Sequence, residues 1–445
     1  MSYSPPASPL EVHAHLTLDE AIGPDDPRWV NTDEARGEDI QKQIARKFSV
    51  DMMSRKVLAP TRRHVLLFGP IGCGKTTELL RFAASLRTSN LLYPVQLNVR
   101  NELDVNNLQY ADVLMALSAA VVNALSKEKV AIAAEHTARL ENWFKERVLA
   151  DEKVSEFSGQ LKSEVSAELG IPFLAKLMTK ATAMFKNTST HKDTLREVVK
   201  NNFSEFAAAF NELSAAANDA VKAAGLGERM LLIVDGTDKI PMEQARELFV
   251  HNTEQLKAIN ALVLYTAPIS LKYDGTTHTP LDADLVLPIL KLHLQDGSPN
   301  PVGLATLRDL LLRRIAASAF DSPASIDALV LASGGHPREL LRLLQLTCEI
   351  ADAETIREAD VERALDKLAA DFRYWLQPED YALLVAADRE VSPHGGNDER
   401  IANLLLRIAL LQYNGGAWRR ANPVVRRLEG YKRAAANPGP SSAAV

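Results

Sequence analysis

The residues from Gly69 to Thr76 have the types and the spacing that bind the phosphates of a nucleotide. They read Gly-Pro-Ile-Gly-Cys-Gly-Lys-Thr, the pattern G-x-x-x-x-G-K-T, between an apolar strand and an apolar-periodic helix. Glycines let the backbone curl until its N–H groups and the helix N-terminus converge on a phosphate. We expect Lys75 to face solvent until it meets the β- and γ-phosphates, and the Thr76 hydroxyl to bind Mg²⁺. The predicted nucleotide contacts are Gly69, Pro70, Ile71, Gly72, Cys73, Gly74, Lys75, Thr76 and Thr77.

A second acidic site follows the apolar run 230–234. Such a run is typical of a buried parallel strand, and Asp235 stands at its carboxyl end. Asp235 is therefore the predicted Mg²⁺ acid, acting together with Thr76. No glutamate follows Asp235 directly, and Asp238 is the nearest further carboxylate. We expect Asp238 to orient a water molecule and hydrolysis to be slow.

Thr266 completes the predicted catalytic set of Lys75, Asp235, Asp238 and Thr266. It ends another apolar run, 261–266, which we expect to form the strand beside that of Asp235. Ligands of open parallel sheets bind at the carboxyl ends of the strands, so a hydroxyl there can reach the γ-phosphate or the attacking water. The alternative is a threonine present for its strand propensity alone.

These side chains require an α/β fold with a parallel-sheet P-loop NTPase core to position them. Strands are predicted near 64–68, 91–99, 230–235, 261–266 and 284–292, and helices at 33–50, 76–87 and 108–126. Pro288 cannot donate a ladder hydrogen bond, so the last strand should be an edge strand or a bulged one.

A helical insertion interrupts the core between about residues 127 and 227. Its second half has apolar residues three or four positions apart, which predicts one long helix: Leu195, Val199, Phe203, Phe206, Phe210, Leu213 and Ala217. Two uses of this stripe remain open. It either packs within its own helical hairpin or forms a surface for a partner or an oligomer.

The turn Ser333–Leu340 is the third informative site. Gly334 and Gly335 can adopt positive φ, and Pro337 suits the first turn of a helix. Arg338 follows Pro337 directly, and helices are predicted on both sides of the turn, from about 303 to 371.

In this order the P-loop, Asp235-Gly236-Thr237-Asp238, the Thr266 strand and the Gly-x-Pro-Arg turn resemble the AAA-type branch of P-loop ATPases. That branch contains the signal-transduction ATPases with numerous domains (STAND) and, nearby, the origin-recognition ATPases. The resemblance covers about residues 33–430 outside the insertion. It implies that Pro337 packs on the adenine, that Arg338 approaches the γ-phosphate, and that Arg36-Gly37-Glu38 corresponds to an upstream Arg-Glu nucleotide contact.

The resemblance extends to the C-terminal part of the chain. Helices near 378–387 and 397–408 precede two apolar segments that the turn Asn414-Gly415-Gly416 separates, which is a hairpin signal. Helices followed by a hairpin resemble the winged-helix domain that follows the helical lid in this family. Asn422 stands where relatives often have a histidine that contacts the bound diphosphate.

The predicted wing region is basic. Residues 400–433 contain eight arginines and lysines against one acid, Glu429. A basic wing can lie on the phosphates of DNA. The alternative, which we favour, is that these side chains pack on the ATPase core, because the cluster has no recognisable base-reading pattern.

The composition favours a soluble multidomain protein. The chain has 445 residues, 46% of them hydrophobic and 24% charged, enough for two or three packed domains. Its net charge of −6 does not require nucleic acid or an acidic membrane, and its two cysteines are too few for a disulfide framework. With no predicted membrane span or signal segment, we expect a cytoplasmic location.

We therefore predict an ATP- and Mg²⁺-binding switch with slow ATPase activity that acts on a protein partner. The alternatives are a DNA-bound ATPase of the origin-recognition type and a nucleotide-binding structural subunit that does not hydrolyse. The sequence also leaves open whether the protein forms a homo-oligomer. The predicted parts are a flexible tail (1–32), the core (33–300) with its insertion (127–227), a helical lid (301–371), a winged helix (372–433) and a second flexible tail (434–445).

Overall fold

A five-stranded parallel sheet lies at the centre of the computed structural model, which describes residues 3–148, 170–186, 190–273, 281–352, 354–389 and 399–436. The strand order is β4-β5-β6-β3-β7, with two short antiparallel pairs elsewhere, β1-β2 and β8-β9. The strands are Val50–Asp51 (β1), Lys56–Val57 (β2), Arg63–Gly69 (β3), Tyr93–Asn98 (β4), Met230–Asp235 (β5), Leu262–Pro268 (β6), Ala283–Val286 (β7), Leu410–Tyr413 (β8) and Trp418–Ala421 (β9).

Helices cover both faces of the sheet, because β3, β5 and β6 are apolar on both sides and almost fully buried. The predicted α/β class with a parallel P-loop core is confirmed. The α-helices of the described residues are Pro9–His15, Asp33–Arg36, Ile40–Lys47, Lys75–Ser89, Val99–Glu102, Tyr110–Lys127, Ala134–Trp143, Ile171–Lys186, Thr190–Asn201, Phe203–Ala223, Met242–Arg246, Thr253–Lys257, Ile269–Lys272, Pro301–Leu312, Pro323–Ala332, Pro337–Ile350, Glu358–Arg373, Pro378–Arg389, Glu399–Leu406 and Glu429–Ala436.

Strand β6 lies between the P-loop strand and the strand of Asp235. In the parallel register Thr266 of β6 is opposite Leu67 of β3 on one side, and Tyr265 is opposite Val234 of β5 on the other. Asp235 in turn faces Asn98 at the end of β4. The carboxyl ends of these four strands therefore meet at one edge of the sheet, as the sequence predicted.

Local bounds differ from the predictions at two places. The helix predicted over 33–50 is interrupted by Gly37, whose φ of 79° ends the helix Asp33–Arg36 before Ile40–Lys47 begins. The edge strand β7 ends at Val286, two residues before Pro288, which agrees with the inability of proline to donate within a sheet.

The insertion is not one long helix in its second half. Asn202 separates Thr190–Asn201 from Phe203–Ala223, and its side chain donates to the carbonyl of Val198. The apolar stripe is buried against the protein's own helices, including Ala134–Trp143. Of the two uses left open, interior packing is the one observed for these residues.

Two ion pairs attach the insertion to the core. Arg196 forms a buried pair with Asp112 of the helix Tyr110–Lys127, and Lys192 pairs with Asp104 at 3.1 Å. Buried pairs of this kind hold a register more than they add net stability. They fix the insertion beside the carboxyl end of β4.

The N-terminal residues 3–32 are ordered against the rest of the chain, contrary to the predicted loose tail. Ser8 caps the helix Pro9–His15, which packs on Pro337–Ile350. The Tyr3 hydroxyl donates to the carbonyl of Arg313 at 2.5 Å. Proline-rich composition led to the wrong prediction because these contacts are made to residues about 300 positions away.

The C-terminal part has the predicted order of two helices and a hairpin. The helices Pro378–Arg389 and Glu399–Leu406 precede strands β8 and β9, which pair antiparallel around Asn414–Gly416. Residues 390–398, between those helices, and residues 437–445 of the predicted tail lie outside the described residues. Among the helices that the structure does describe, none has both the length and the apolar character needed to cross a membrane.

Candidate nucleotide-binding site

The loop from Gly69 to Gly74 joins β3 to the helix Lys75–Ser89 in the conformation that a P-loop needs. Gly72 and Gly74 have φ of 87° and 104°, values that side chains rarely allow. Gly74 is the N-cap of the helix, so the free N–H groups of the first turn point into the loop. The pattern read from the sequence therefore folds into an anion-binding cradle.

Lys75 is buried rather than solvent-facing, which corrects the expectation. Lys75 is 4% exposed, and its ammonium donates to the carbonyls of Gly69 at 2.7 Å and Pro70 at 2.9 Å. It also forms an ion pair with Asp238 Oδ2 at 2.8 Å. Burial alone would lower the pKa of Lys75, but Asp238, together with Cys73 and Asp235, more than offsets this and the pKa is raised. Lys75 is therefore held charged at the position where a phosphate would arrive.

Asp235 and Thr76 lie together at the carboxyl end of β5. Thr76 lies close enough to the Asp235 carboxylate for its hydroxyl to lower the pKa of that group, while Asp235 Oδ1 is buried without a hydrogen-bond partner among the described residues. Burial raises the pKa of Asp235, and the nearby Asp238 raises it further. An unpartnered buried carboxylate oxygen is costly, and a cation would remove that cost.

These two residues fit a Mg²⁺ ion of the kind that P-loop folds use. Mg²⁺ keeps several waters and takes one or two protein oxygens together with those of the phosphates. Thr76 and Asp235 supply such a pair. When bound there, the ion would neutralise charge on the phosphates.

Thr266 is fully buried, and its hydroxyl is bonded to the turn after Asp235. Its Oγ1 accepts from the N–H of Gly236 at 3.0 Å, and its carbonyl accepts from the Thr237 hydroxyl at 2.5 Å. Strand β6 continues to Pro268, so Thr266 is not at the strand end. The geometry gives Thr266 a positioning role, holding Asp235 and Asp238 in place; contact with the γ-phosphate stays a prediction.

The turn Ser333–Leu340 brings Arg338 directly against the P-loop. A Cβ placed on Gly72 would lie 2.5 Å from Cβ of Arg338. Pro337 is the first residue of the helix Pro337–Ile350, as predicted, and both Pro337 and Arg338 line the cleft next to the loop. Gly72 is thus required twice, for its positive φ and for this close approach.

His336 anchors the same turn beside the P-loop. It is the N-cap of the helix, and its Nδ1 accepts from the N–H of Glu339 at 3.2 Å. Burial lowers the pKa of His336 to about 3, and the charges of Arg338 and Lys75 act in the same direction. A neutral imidazole therefore lies where this turn meets the P-loop.

We expect the protein to lose stability as the pH falls below about 6.5. The unfolded chain protonates His336 near that pH, whereas the folded chain resists until about 3. Between pH 7 and pH 5 this one group should cost roughly 2 kcal/mol of unfolding free energy. Urea denaturation of the parent and of His336→Asn, which keeps an N-cap acceptor, measures the difference. Equal losses in both proteins would contradict the assignment.

Arg36 is a site residue whose geometry the sequence did not predict. It is 2% exposed, and it donates from Nη2 to the carbonyl of Cys73 at 2.7 Å and from Nε to Thr32 at 3.0 Å. Nη1 donates to the carbonyl of Pro288. Arg36 therefore clamps the backbone of the P-loop to the segment after β7. The motif Arg36-Gly37-Glu38 indicated that Arg36 belongs to the site, but it did not predict these contacts.

The N-terminal segment forms one wall of the cleft, which sequence reasoning missed. The cavity beside the P-loop has a volume of about 130 Å³. Asp19 of this wall forms an ion pair with Arg338. Lys239 also lines the cavity, and its pKa is lowered by burial. The additional lining residues include Leu18, Ile22, Trp29, Val30, Leu310, Arg314 and Leu341. Apolar side chains and charged groups thus surround the loop together.

Arginines of the hairpin and of the segment that follows it contact other residues of this protein. Arg419 lies over the Tyr273 ring at 4.9 Å, and Arg426 pairs with Asp388 at 2.8 Å. Arg427 pairs with Glu362 and Asp366 of the helix Glu358–Arg373. Of these three arginines, Arg419 contacts the predicted core, which is the packing we favoured, whereas Arg426 and Arg427 pair with residues of the predicted winged helix and of the predicted lid. Asn422 is buried in local hydrogen bonds to Ile408 and Val424, away from the residues that line the cleft.

The sheet, the loop and its helix define a P-loop nucleotide-binding fold. No protein-family model matches the chain, and no curated protein does. Among solved structures, the Walker-type ATPase of Pyrococcus abyssi is similar at 11% identity, with a TM-score of 0.43 over 92% of this chain and 97% of that one. RuvB of Thermotoga maritima, in two variants, is similar at 14% and 13% identity with TM-scores of 0.34 and 0.35, over 93% of this chain and 99% of each. Likeness at this level does not define a function.

Proposed function

We propose that this chain is an ATP-binding switch of the AAA/STAND-like type that hydrolyses ATP slowly. The observation that carries the proposal is the arrangement of Lys75, Thr76 and Asp235: a buried ammonium at the P-loop and an unpartnered carboxylate oxygen beside a hydroxyl. These are the groups that hold the phosphates and Mg²⁺ of a nucleotide. The proposed hydrolysis is ATP and water to ADP and phosphate.

The switch would act through the lid. Arg338 lies against the P-loop and pairs with Asp19 of the N-terminal segment. A γ-phosphate within reach of Arg338 would compete with the Asp19 carboxylate, so ATP would change how the N-terminal segment is held. A ligand shifts such an equilibrium only by its differential contacts, and this exchange of partners supplies one.

The C-terminal helices and hairpin, which we take as a winged helix, and the insertion would transmit the change to a protein partner. The docked hairpin arginines support a protein-directed role over the DNA-bound alternative. A role in bacterial defence or stress signalling is proposed from the family resemblance alone.

Asp235→Asn tests the function. We expect ATP to bind the parent more tightly with Mg²⁺ than without it, and the substitution to remove this difference because it removes the metal's anionic ligand. Phosphate release should fall by about 100-fold or more. Calorimetry with and without Mg²⁺ and a phosphate-release assay measure both effects.

Asp284→Asn is the matched control. Asp284 is an aspartate of the same sheet that pairs with Lys272, outside the residues that line the cleft. It should leave both measurements unchanged. Parent protein that binds no nucleotide, or equal Mg²⁺ dependence in Asp235→Asn, would reject the proposed function.

A further inference from the structure

A second cavity lies where the hairpin meets the lid, and it is basic. Its volume is about 170 Å³, and its lining includes the side chains of His293, Trp418, Arg420 and Arg426 and the backbone of Gly334. None of these residues lines the nucleotide cleft. Gly334 nevertheless belongs to the same turn as Pro337 and Arg338, so one turn joins the two cavities.

Trp418, which lines this cavity, has a buried hydrogen-bond donor. Trp418 is 3% exposed and stacks on Tyr413 with ring centroids 4.0 Å apart. Within the described residues its Nε1–H has no hydrogen-bond partner. An indole N–H can only donate, and a buried donor left unpaired is costly. The missing partner is therefore an acceptor.

The guanidinium groups add positive charge around the same space. Arg420 donates to the backbone carbonyls of Asp388 and Gln295 and forms no ion pair among the described residues. Arg426 pairs with Asp388, yet its Nε is buried and has no partner in the part of the chain that the structure describes. Partial burial lowers the pKa of His293, and the charges of Arg420 and Arg426 lower it further. Both guanidinium groups therefore place positive charge beside the cavity.

We propose that this cavity binds a small oxyanion, a phosphate group free or carried on a small molecule, through Trp418, Arg420 and Arg426. A planar guanidinium donates in a fork that matches phosphate oxygens, and a charge-assisted bond from the indole would complete the shell. The Tyr413 hydroxyl, which donates to the Gly334 carbonyl at 2.6 Å, holds the ring stack to the turn Ser333–Leu340.

Binding of inorganic phosphate tests the site. Because phosphate can also enter the P-loop, the measurement uses a Lys75→Met, Asp238→Asn background that lacks the P-loop ammonium. We expect saturable binding by calorimetry at constant ionic strength to persist there. Trp418→Phe, which keeps the stacking ring but removes the N–H, should weaken it about tenfold. Arg420→Gln should weaken phosphate binding by a similar factor. The double variant Arg420→Gln, Arg426→Gln should abolish phosphate binding.

Arg427→Gln is the matched control, since Arg427 is a neighbouring arginine that pairs with Glu362 and Asp366 and does not line the cavity. It should leave phosphate affinity unchanged. Circular dichroism checks that each variant is folded. If the double arginine variant does not fold, the single variants Trp418→Phe and Arg420→Gln decide the test. Phosphate binding that disappears in the P-loop background, or that ignores Trp418→Phe and Arg420→Gln, overturns the proposal. A phosphate-carrying nucleotide that binds this background more tightly than phosphate does, and that Trp418→Phe and Arg420→Gln weaken, would identify the carried form, whereas no tighter binding would identify free phosphate. The result is independent of whether the P-loop binds ATP.

Discussion

Replacing Lys75 with methionine is expected to abolish ATP binding and to destabilise the fold. The first effect follows because the ammonium is the mobile charge for the β- and γ-phosphates. The second follows from its burial: without Lys75, the Asp238 carboxylate, 4% exposed, loses its ion-pair partner at 2.8 Å. Breaking a buried pair costs about 3 to 5 kcal/mol. Calorimetry with ATP and urea denaturation measure the two losses.

The double variant Lys75→Met, Asp238→Asn separates these effects. It removes both charges, so most of the lost stability should return, while ATP binding should remain absent. Retained ATP affinity in either variant would contradict the P-loop assignment. Equal stability of Lys75→Met and the parent would contradict the buried pair.

Asp238→Asn is expected to lower the rate of ATP hydrolysis and to raise the affinity for ATP. If Asp238 orients the attacking water, ATP hydrolysis should fall by about 100-fold, the lower end of the range for a positioned acid or base. A residue that only orients a water molecule would leave ATP affinity nearly unchanged when it is replaced. The ion pair with Lys75 changes that expectation: asparagine no longer competes for the ammonium, and affinity should rise by about tenfold, since a charge-assisted hydrogen bond contributes about 1.5 to 3 kcal/mol.

Single-turnover hydrolysis and equilibrium binding of ATP test the two halves separately. Hydrolysis at the parent rate would show that Asp238 is not the water-orienting group. Unchanged affinity would show that Lys75 does not have to leave Asp238 when the phosphates bind. Thr266→Val serves as the comparison, because Thr266 holds the same turn through Gly236 and Thr237 without contacting Lys75; it should slow hydrolysis without raising affinity.

The sequence by itself determined the loop, the acid strand and the sheet. Glycine spacing in Gly69–Gly74 and the apolar run before Asp235 are local signals, and the local backbone follows from them. The C-terminal hairpin was also predictable, because Asn414-Gly415-Gly416 separates two apolar segments. These predictions depend on neighbours within a few residues, where composition and φ preferences are decisive.

Only the tertiary structure decided how the charges are paired. Lys75 is buried because Asp238, on a different strand's turn, reaches it, and Arg36 clamps the loop through the carbonyl of Cys73. Asp19 and Arg338 are 319 residues apart in the chain. The energy of such contacts depends on distance and burial, which a sequence pattern does not contain. For the same reason proline-rich composition suggested a loose N-terminus, although long-range packing orders it against the helix Pro337–Ile350.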